Sequence, residues 1–221
     1  PEAAKLLIRE GANVDTKLEN KLEQVYTALR YAIESHSSEV VKILLENGAE
    51  VDEEYNYGLN PIIVAAKDDS LFNDSGNNTK VLNILINNGA DVNSTANYEK
   101  TALMEAAKQG NLAEAKILIN EGANINASNN FFGTASALMR AASNGYKEIV
   151  ELLIENGANI RYRSNGGDTI LMDAAYNGHS EIIEILIAEG AQVNSKNDDG
   201  DTALMIAARR GFPQAIETLI E

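Results

Sequence analysis

The chain has 221 residues, with 33 Asp and Glu against 18 Lys and Arg and a formal net charge of −15 at pH 7. It contains no cysteine, which excludes disulfides and thiolate metal sites, and no apolar run approaches the length of a transmembrane helix. Nucleic-acid binders need clustered Lys and Arg to displace phosphate counterions, so the acidic balance argues against nucleic acid and against anionic membranes. It favours the encounter with a basic partner, and on outer helix faces it also serves solubility.

The predicted elements run in pairs along the chain. Pro1 already stands in a helix carrying Ala3, Ala4, Leu6, Leu7 and Ile8, which stops at Gly11. The aliphatic run KILLENGAEV from Lys42 predicts the next helix of this kind, and NILINNGADV from Asn83 another. Between them Asn60-Pro61-Ile62 opens a shorter helix, followed by KDDSLFNDSGNNT from Lys67, a polar segment expected to be a loop over 67–79. Then a fixed alternation sets in. TALMEAAKQG from Thr101 precedes KILINEGANI from Lys116, SALMRAASNG from Ser136 precedes ELLIENGANI from Glu151, and TILMDAAYNG from Thr169 precedes EILIAEGAQV from Glu184. TALMIAARRG from Thr202 begins a last pair, cut off after Ile216, Leu219 and Ile220.

One unit shows why these residues fold in pairs. Thr101 is placed to cap a helix, its hydroxyl accepting from the first free amides. Leu103, Ala106 and Ala107 then share one face, and the paired alanines let neighbouring helices approach closely. Gly110 breaks the helix. Ala115, Ile117, Leu118 and Ile119 form the stripe of a second, which ends at Gly122, where a left-handed residue is needed. A polar, turn-rich stretch leads to the next unit.

The period is read from the terminal glycines. Gly89, Gly122, Gly157 and Gly190 follow one another at intervals of 33, 35 and 33 residues, and the 41 from Gly48 to Gly89 exceeds 33 by the 8 of the polar loop. Two short helices and a turn at this period resemble the ankyrin repeat, whose signature is T-P-L-H-x-A; here Thr-Ala-Leu-Met-x-Ala-Ala stands in its place, over the whole chain. The resemblance implies an all-α solenoid with short β-hairpin loops, of about five full repeats and a partial one at each end. The single domain 1–221 divides into repeats at 1–15 (partial), 16–52, 53–93 with the inserted loop 67–79, 94–126, 127–161, 162–194 and 195–221 (partial). Neither end carries the polar outer face of a terminal repeat, which reads as a fragment of a longer array. End-to-end stacking of an otherwise monomeric chain would follow from such ends.

The resemblance also implies function: a module that binds a partner protein or peptide on the concave surface of hairpin tips and first helices. Seven of the 12 aromatics fall in expected hairpins, namely Tyr26, Tyr55, Tyr57, Tyr98, Phe131, Phe132 and Tyr162, and Tyr176 follows an alanine pair. Aromatics concentrate at interface hot spots, although tyrosine is also ordinary in strands. The residue before each alanine pair varies from Tyr31 and Val64 through Glu105, Arg140 and Asp173 to Ile206, which predicts a surface position. Arg140, Arg161 and Arg163 make a basic spot that either anchors an acidic or phosphorylated peptide or balances Asp168, Asp173 and Asp199. The candidate contact set is Tyr98, Phe131, Phe132, Tyr162, Tyr176, Arg140, Glu105, Asp173, Arg163 and Arg209. The regulatory or targeting domain of a larger enzyme or effector, and a self-associating spacer, are the alternatives. The expected setting is intracellular, with a secreted effector as the other reading.

Catalysis finds little to stand on. His36 replaces a turn glycine, and His179 sits after Gly178, where it would cap or pack locally. There is no nucleophile elbow and no phosphate-binding glycine loop. Asp68, Asp69 and Asp74 do not match the spacing of a calcium loop. No enzyme activity, cofactor or metal is therefore expected. The four methionines (Met104, Met139, Met172 and Met205) recur behind leucine at one position and read as a ladder between repeats. Asn93, Asn126 and Asn194 match the asparagine that is hydroxylated in some ankyrin-like domains; the simpler role is a hydrogen bond to hairpin backbone.

Overall fold

The computed structural model describes residues 1–19, 25–67, 75–129 and 135–221. Its helices form two rows. The first comprises α2 (Ala28–Glu34), α4 (Pro61–Ala66), α6 (Ala102–Gln109), α8 (Ala137–Asn144), α10 (Ile170–Asn177) and α12 (Ala203–Arg210). The second comprises α1 (Glu2–Arg9), α3 (Ser38–Glu46), α5 (Ser75–Asn87), α7 (Leu112–Asn120), α9 (Lys147–Glu155), α11 (Ser180–Ala188) and α13 (Pro213–Ile220). Each helix packs on the next of its own row and on its pair in the other. Antiparallel hairpins project before the first-row helices. Two are described as strand pairs, β1 (Leu18–Glu19) with β2 (Val25–Tyr26) and β3 (Thr95–Ala96) with β4 (Lys100–Thr101). Single bridges, Ser128 with Ser136 and Arg163 with Thr169, mark two later ones.

Local chemistry starts and stops the first row. Thr101, Ser136, Thr169 and Thr202 each accept from the amide three residues on, at 3.2–3.3 Å. Asn60 does the same for Ile63 at 3.1 Å, and Pro61 fills the first helical position, where its missing N–H costs nothing. Gly110, Gly145, Gly178 and Gly211 end their helices at φ of 75–83°. His36 occupies the corresponding place after α2 at φ 53°, a conformation that strains a residue with a Cβ.

Three ladders join the units. The alanine pairs Ala106-Ala107, Ala141-Ala142 and Ala174-Ala175 are fully buried between adjacent first-row helices. Met104, Met139 and Met172 are buried beside them, whereas Met205 is exposed because α12 has a first-row neighbour on one side alone. On the turn side an aromatic ring covers three of the turn glycines, Gly110, Gly145 and Gly178. A Cβ on Gly110 would come 2.5 Å from the Tyr146 ring, one on Gly145 2.7 Å from His179, and one on Gly178 2.6 Å from Phe212. The His179 Nε2 also lies 3.1 Å from the Ser143 carbonyl.

The third ladder follows the second-row helices. Asp15 and Asp52 accept from the amides of Glu50 and Asp91, both at 3.2 Å. Asn93 and Asn126 accept from the amides of Asn124 and Asn159, both at 2.7 Å, and donate to the carbonyls of Gly122 and Gly157 at 3.1 and 3.0 Å. These asparagines bond the next unit's turn rather than their own hairpin. Arg161 holds the position in the fifth unit. In the hairpin that opens the sixth unit, Arg163 donates to the Lys196 carbonyl of the seventh at 2.9 Å.

The expected loop over 67–79 is corrected at its far end. Ser75 already begins α5, which runs to Asn87, so the helical run reaches back through polar residues that lack an apolar stripe. The remainder, 68–74, lies outside the described residues.

Candidate functional site

The hairpins and the first-row helices form one continuous face, and the exposed tyrosines gather on it. Tyr57 is 71% exposed and Tyr98 56%. Each sits in a 3-10 turn at a hairpin tip, 41 residues apart, at φ 62° and 65°. A bulky side chain in the left-handed region costs of the order of 1 kcal/mol or more, and two consecutive units bear that cost. Tyr31 on α2 is half-exposed and stacks on Tyr26 with centroids 4.9 Å apart. Beneath them the buried Arg30 lies 4.3 Å from the Tyr26 ring and donates to Glu34 at 2.9 Å and to the Val25 carbonyl at 2.7 Å. Tyr176 at the end of α10 is 47% exposed, with the Arg210 guanidinium 4.2 Å from its ring.

Other candidates are placed differently. Tyr55 is core, and Tyr162 is half-buried against it. Phe131 and Phe132 lie outside the described residues. Arg163 is exposed but donates to the Gly167 and Lys196 carbonyls at 3.0 and 2.9 Å. Arg209 is paired with Asp201 at 2.7 Å. Among the described residues Arg163 forms no ion pair with Asp168 or Asp173, and its guanidinium goes to backbone carbonyls instead.

The position before the alanine pair is not uniformly superficial. Glu105 is 1% exposed, with the Lys100 ammonium 3.4 Å away, and Ile206 is buried. Both are corrections with one cause. A residue at this position is covered or open according to the hairpin and neighbouring helix over it, which a single unit's pattern does not contain. Arg140 and Asp173 are half-buried and reach the same recess.

That recess encloses about 250 Å³ between Lys108 on α6, Met139, Arg140, Ser143 and Asn144 on α8, Asp173 on α10, and Ala135, Ser164 and Asp168 of the hairpin segments. Burial lowers the Arg140 pKa and the nearby Glu105 carboxylate opposes the shift. The Arg140 Nε is buried without a hydrogen-bond partner. Burial, with the neighbouring Asp168 charge, pushes Asp173 up to about 7. Asp168 is held by the Asn197 amide at 2.7 Å.

Among the described residues no group of three or more His, Asp or Glu could hold a metal. No described helix is long and apolar enough to cross a membrane. Neither histidine lies in the recess.

The exposed tyrosines and the recess went partly unread in the sequence. Of the rings over the turn glycines, sequence marked only His179, as a residue that caps or packs locally; Tyr146 and Phe212 were missed, although all three recur every 33 residues directly after a glycine.

No curated protein matches the chain. A family profile described as ankyrin repeats (3 copies) matches residues 1–94, 70–164 and 138–221. With capped helix pairs, projecting hairpins and a match that spans it end to end, the chain belongs to the ankyrin-repeat family.

Proposed function

We propose that this chain is a recognition module that holds a partner protein or peptide along the face of hairpin tips and first-row helices. Ankyrin repeats are in general protein–protein interaction modules. One observation carries the finer reading: the exposed tyrosines, Tyr31, Tyr57, Tyr98 and Tyr176, all lie on this face. Two of them are kept in a strained conformation. Large, rigid, amphipathic side chains of this kind anchor interfaces at low entropic cost. Residues held in the left-handed region cluster at binding sites and switch regions.

The contact set proposed here is Tyr57, Tyr98 and Tyr176, with Arg140 and Asp173 between the last two. Affinity capture with the whole chain tests it, against a Tyr57→Ala, Tyr98→Ala, Tyr176→Ala variant matched in thermal stability. Proteins retained by the parent should fall at least tenfold on the variant, because truncating an anchor typically costs more than about 1 kcal/mol. Equal retention by both would move the site off this face.

A further inference from the structure

The recess between α8 and α10 contains opposite charges that do not meet. Lys108 and Arg140 lie on its α6–α8 side, Asp168 and Asp173 on its hairpin–α10 side. Among the described residues no ion pair joins the two sides; the pairs formed nearby are Lys100 with Glu105 and Arg209 with Asp201. Asp168 is held on its own side, accepting from the Asn197 side-chain amide at 2.7 Å, and the buried Arg140 Nε has no hydrogen-bond partner. The helices cannot close the gap, because the fully buried Ala141, Ala142, Ala174 and Ala175 fix their separation. Opposite charges ordinarily collapse into contact where side chains permit. Here the fold holds them apart across about 250 Å³, with Arg140, Asp168 and Asp173 half-buried and Lys108 exposed.

We propose that this recess is the subsite that sets the register of a bound protein segment, taking an Arg or Lys side chain against Asp168 and Asp173 and an Asp or Glu side chain against Arg140 and Lys108. The proposal rests on the protein-recognition reading above and names the chemistry of the partner. Charges already partly stripped of water and fixed in place lose little more when a complementary charge arrives. A segment lacking either charge, or entering in the opposite direction, leaves a half-buried ion unpaired or faces a like one, and both are disfavoured. The recess therefore selects direction as well as composition. The tyrosines on either side, Tyr98 and Tyr176, supply contact area without such a preference.

Three capped probes test this by amide NMR on the whole chain: N-acetyl-arginine amide, N-acetyl-glutamate amide, and the acetylated, amidated tripeptide Glu-Gly-Arg. The arginine probe should shift the resonances of Ser164, Asp168 and Asp173, and the glutamate probe those of Lys108, Arg140 and Asn144. The tripeptide should bind at least fivefold more tightly than either. Asp173→Asn should abolish the first response and Arg140→Gln the second, each leaving the other in place.

Arginine affinity should be about tenfold lower at pH 6 than at pH 8, since Asp173 takes up a proton over that interval. The charged groups on the surrounding elements are Glu105 and Lys108 on α6, Arg140 on α8, Arg163 and Asp168 in the hairpin, Asp201 before α12 with Arg209 and Arg210 on it, and His179 before α11, whose ring meets the Ser143 carbonyl at 3.1 Å. The Asp173→Asn variant should therefore lose the pH dependence; a dependence that survives in it would assign the effect to His179 and overturn the role of Asp173. Shifts scattered over the surface, or unchanged in the variants, would overturn the proposal. If the probes ignore the recess while the tyrosine variant still loses its captured proteins, the subsite fails and the recognition reading stands.

Discussion

Asp173 shows how position in a repeat and position in space come apart. Glu105, Arg140 and Asp173 occupy one register, yet the first is sealed in and the other two look into the recess. Asp173 should also leave a mark on stability. Its carboxyl ordinarily titrates near 3.8 and in the fold near 7, so the folded state holds the proton more tightly than the unfolded chain. The contribution of Asp173 to stability should therefore be greatest at low pH, fall as the pH rises from about 4 through about 7, and level off above that. The Asp173→Asn variant should lack this component and be more stable than the parent at pH 8 by an amount of the order of 2 kcal/mol, after discounting for water in the recess. Urea unfolding at pH 5 and pH 8 measures both. At this scale the caps were legible in sequence because an N-cap and the amide that donates to it lie three residues apart. Burial at a given register was not, because it depends on residues a whole unit away.

At the scale of the element, the turn between paired helices carries the sharpest constraint. Gly145 is left-handed at φ 83°, and a Cβ on it would meet the His179 ring at 2.7 Å. Gly145→Ala should therefore destabilise by about 2 kcal/mol or more, combining conformational strain with a clash. The same turn after α2 already carries a side chain, His36 at φ 53°. His36→Gly should gain up to about 1 kcal/mol. Thermal melts of the two variants should move in opposite directions, and a shift of the same sign would show that conformation does not govern this turn. The glycine was legible from its recurrence, and the histidine from its absence. The ring that covers the glycine was not, since Tyr, His and Phe share a shape rather than an identity. The loop boundary at Ser75 was misread for a related reason: the first turns of α5 show no apolar period that would announce a helix.

Across the whole molecule, the period, the two rows and the family were all legible, because stacking forces the same apolar and glycine positions to recur in every unit. The methionine ladder followed the same logic and breaks where it should, at Met205, which has no first-row neighbour on its outer side. The asparagine and aspartate ladder was only half legible. Its residues stood out, but their partners lie in the next unit, about 30 residues away. Arg161 interrupts it between the fifth and sixth units, and the next link along is the Arg163 side chain, from the sixth unit to the Lys196 carbonyl of the seventh. Because each unit touches only its neighbours, tension applied to the two ends passes in series through every joint. A joint without its asparagine clasp should yield before those that keep theirs at Asn93 and Asn126. Stretched in an optical trap, the chain should part first at Arg161, releasing residues 162–221 in a step of roughly 200 Å at about 3.5 Å per residue. Arg161→Asn should raise the force at which that step occurs. The ankyrin array is in this sense a spring with a chosen breaking point, and a partner seated across the α8–α10 recess would splint it.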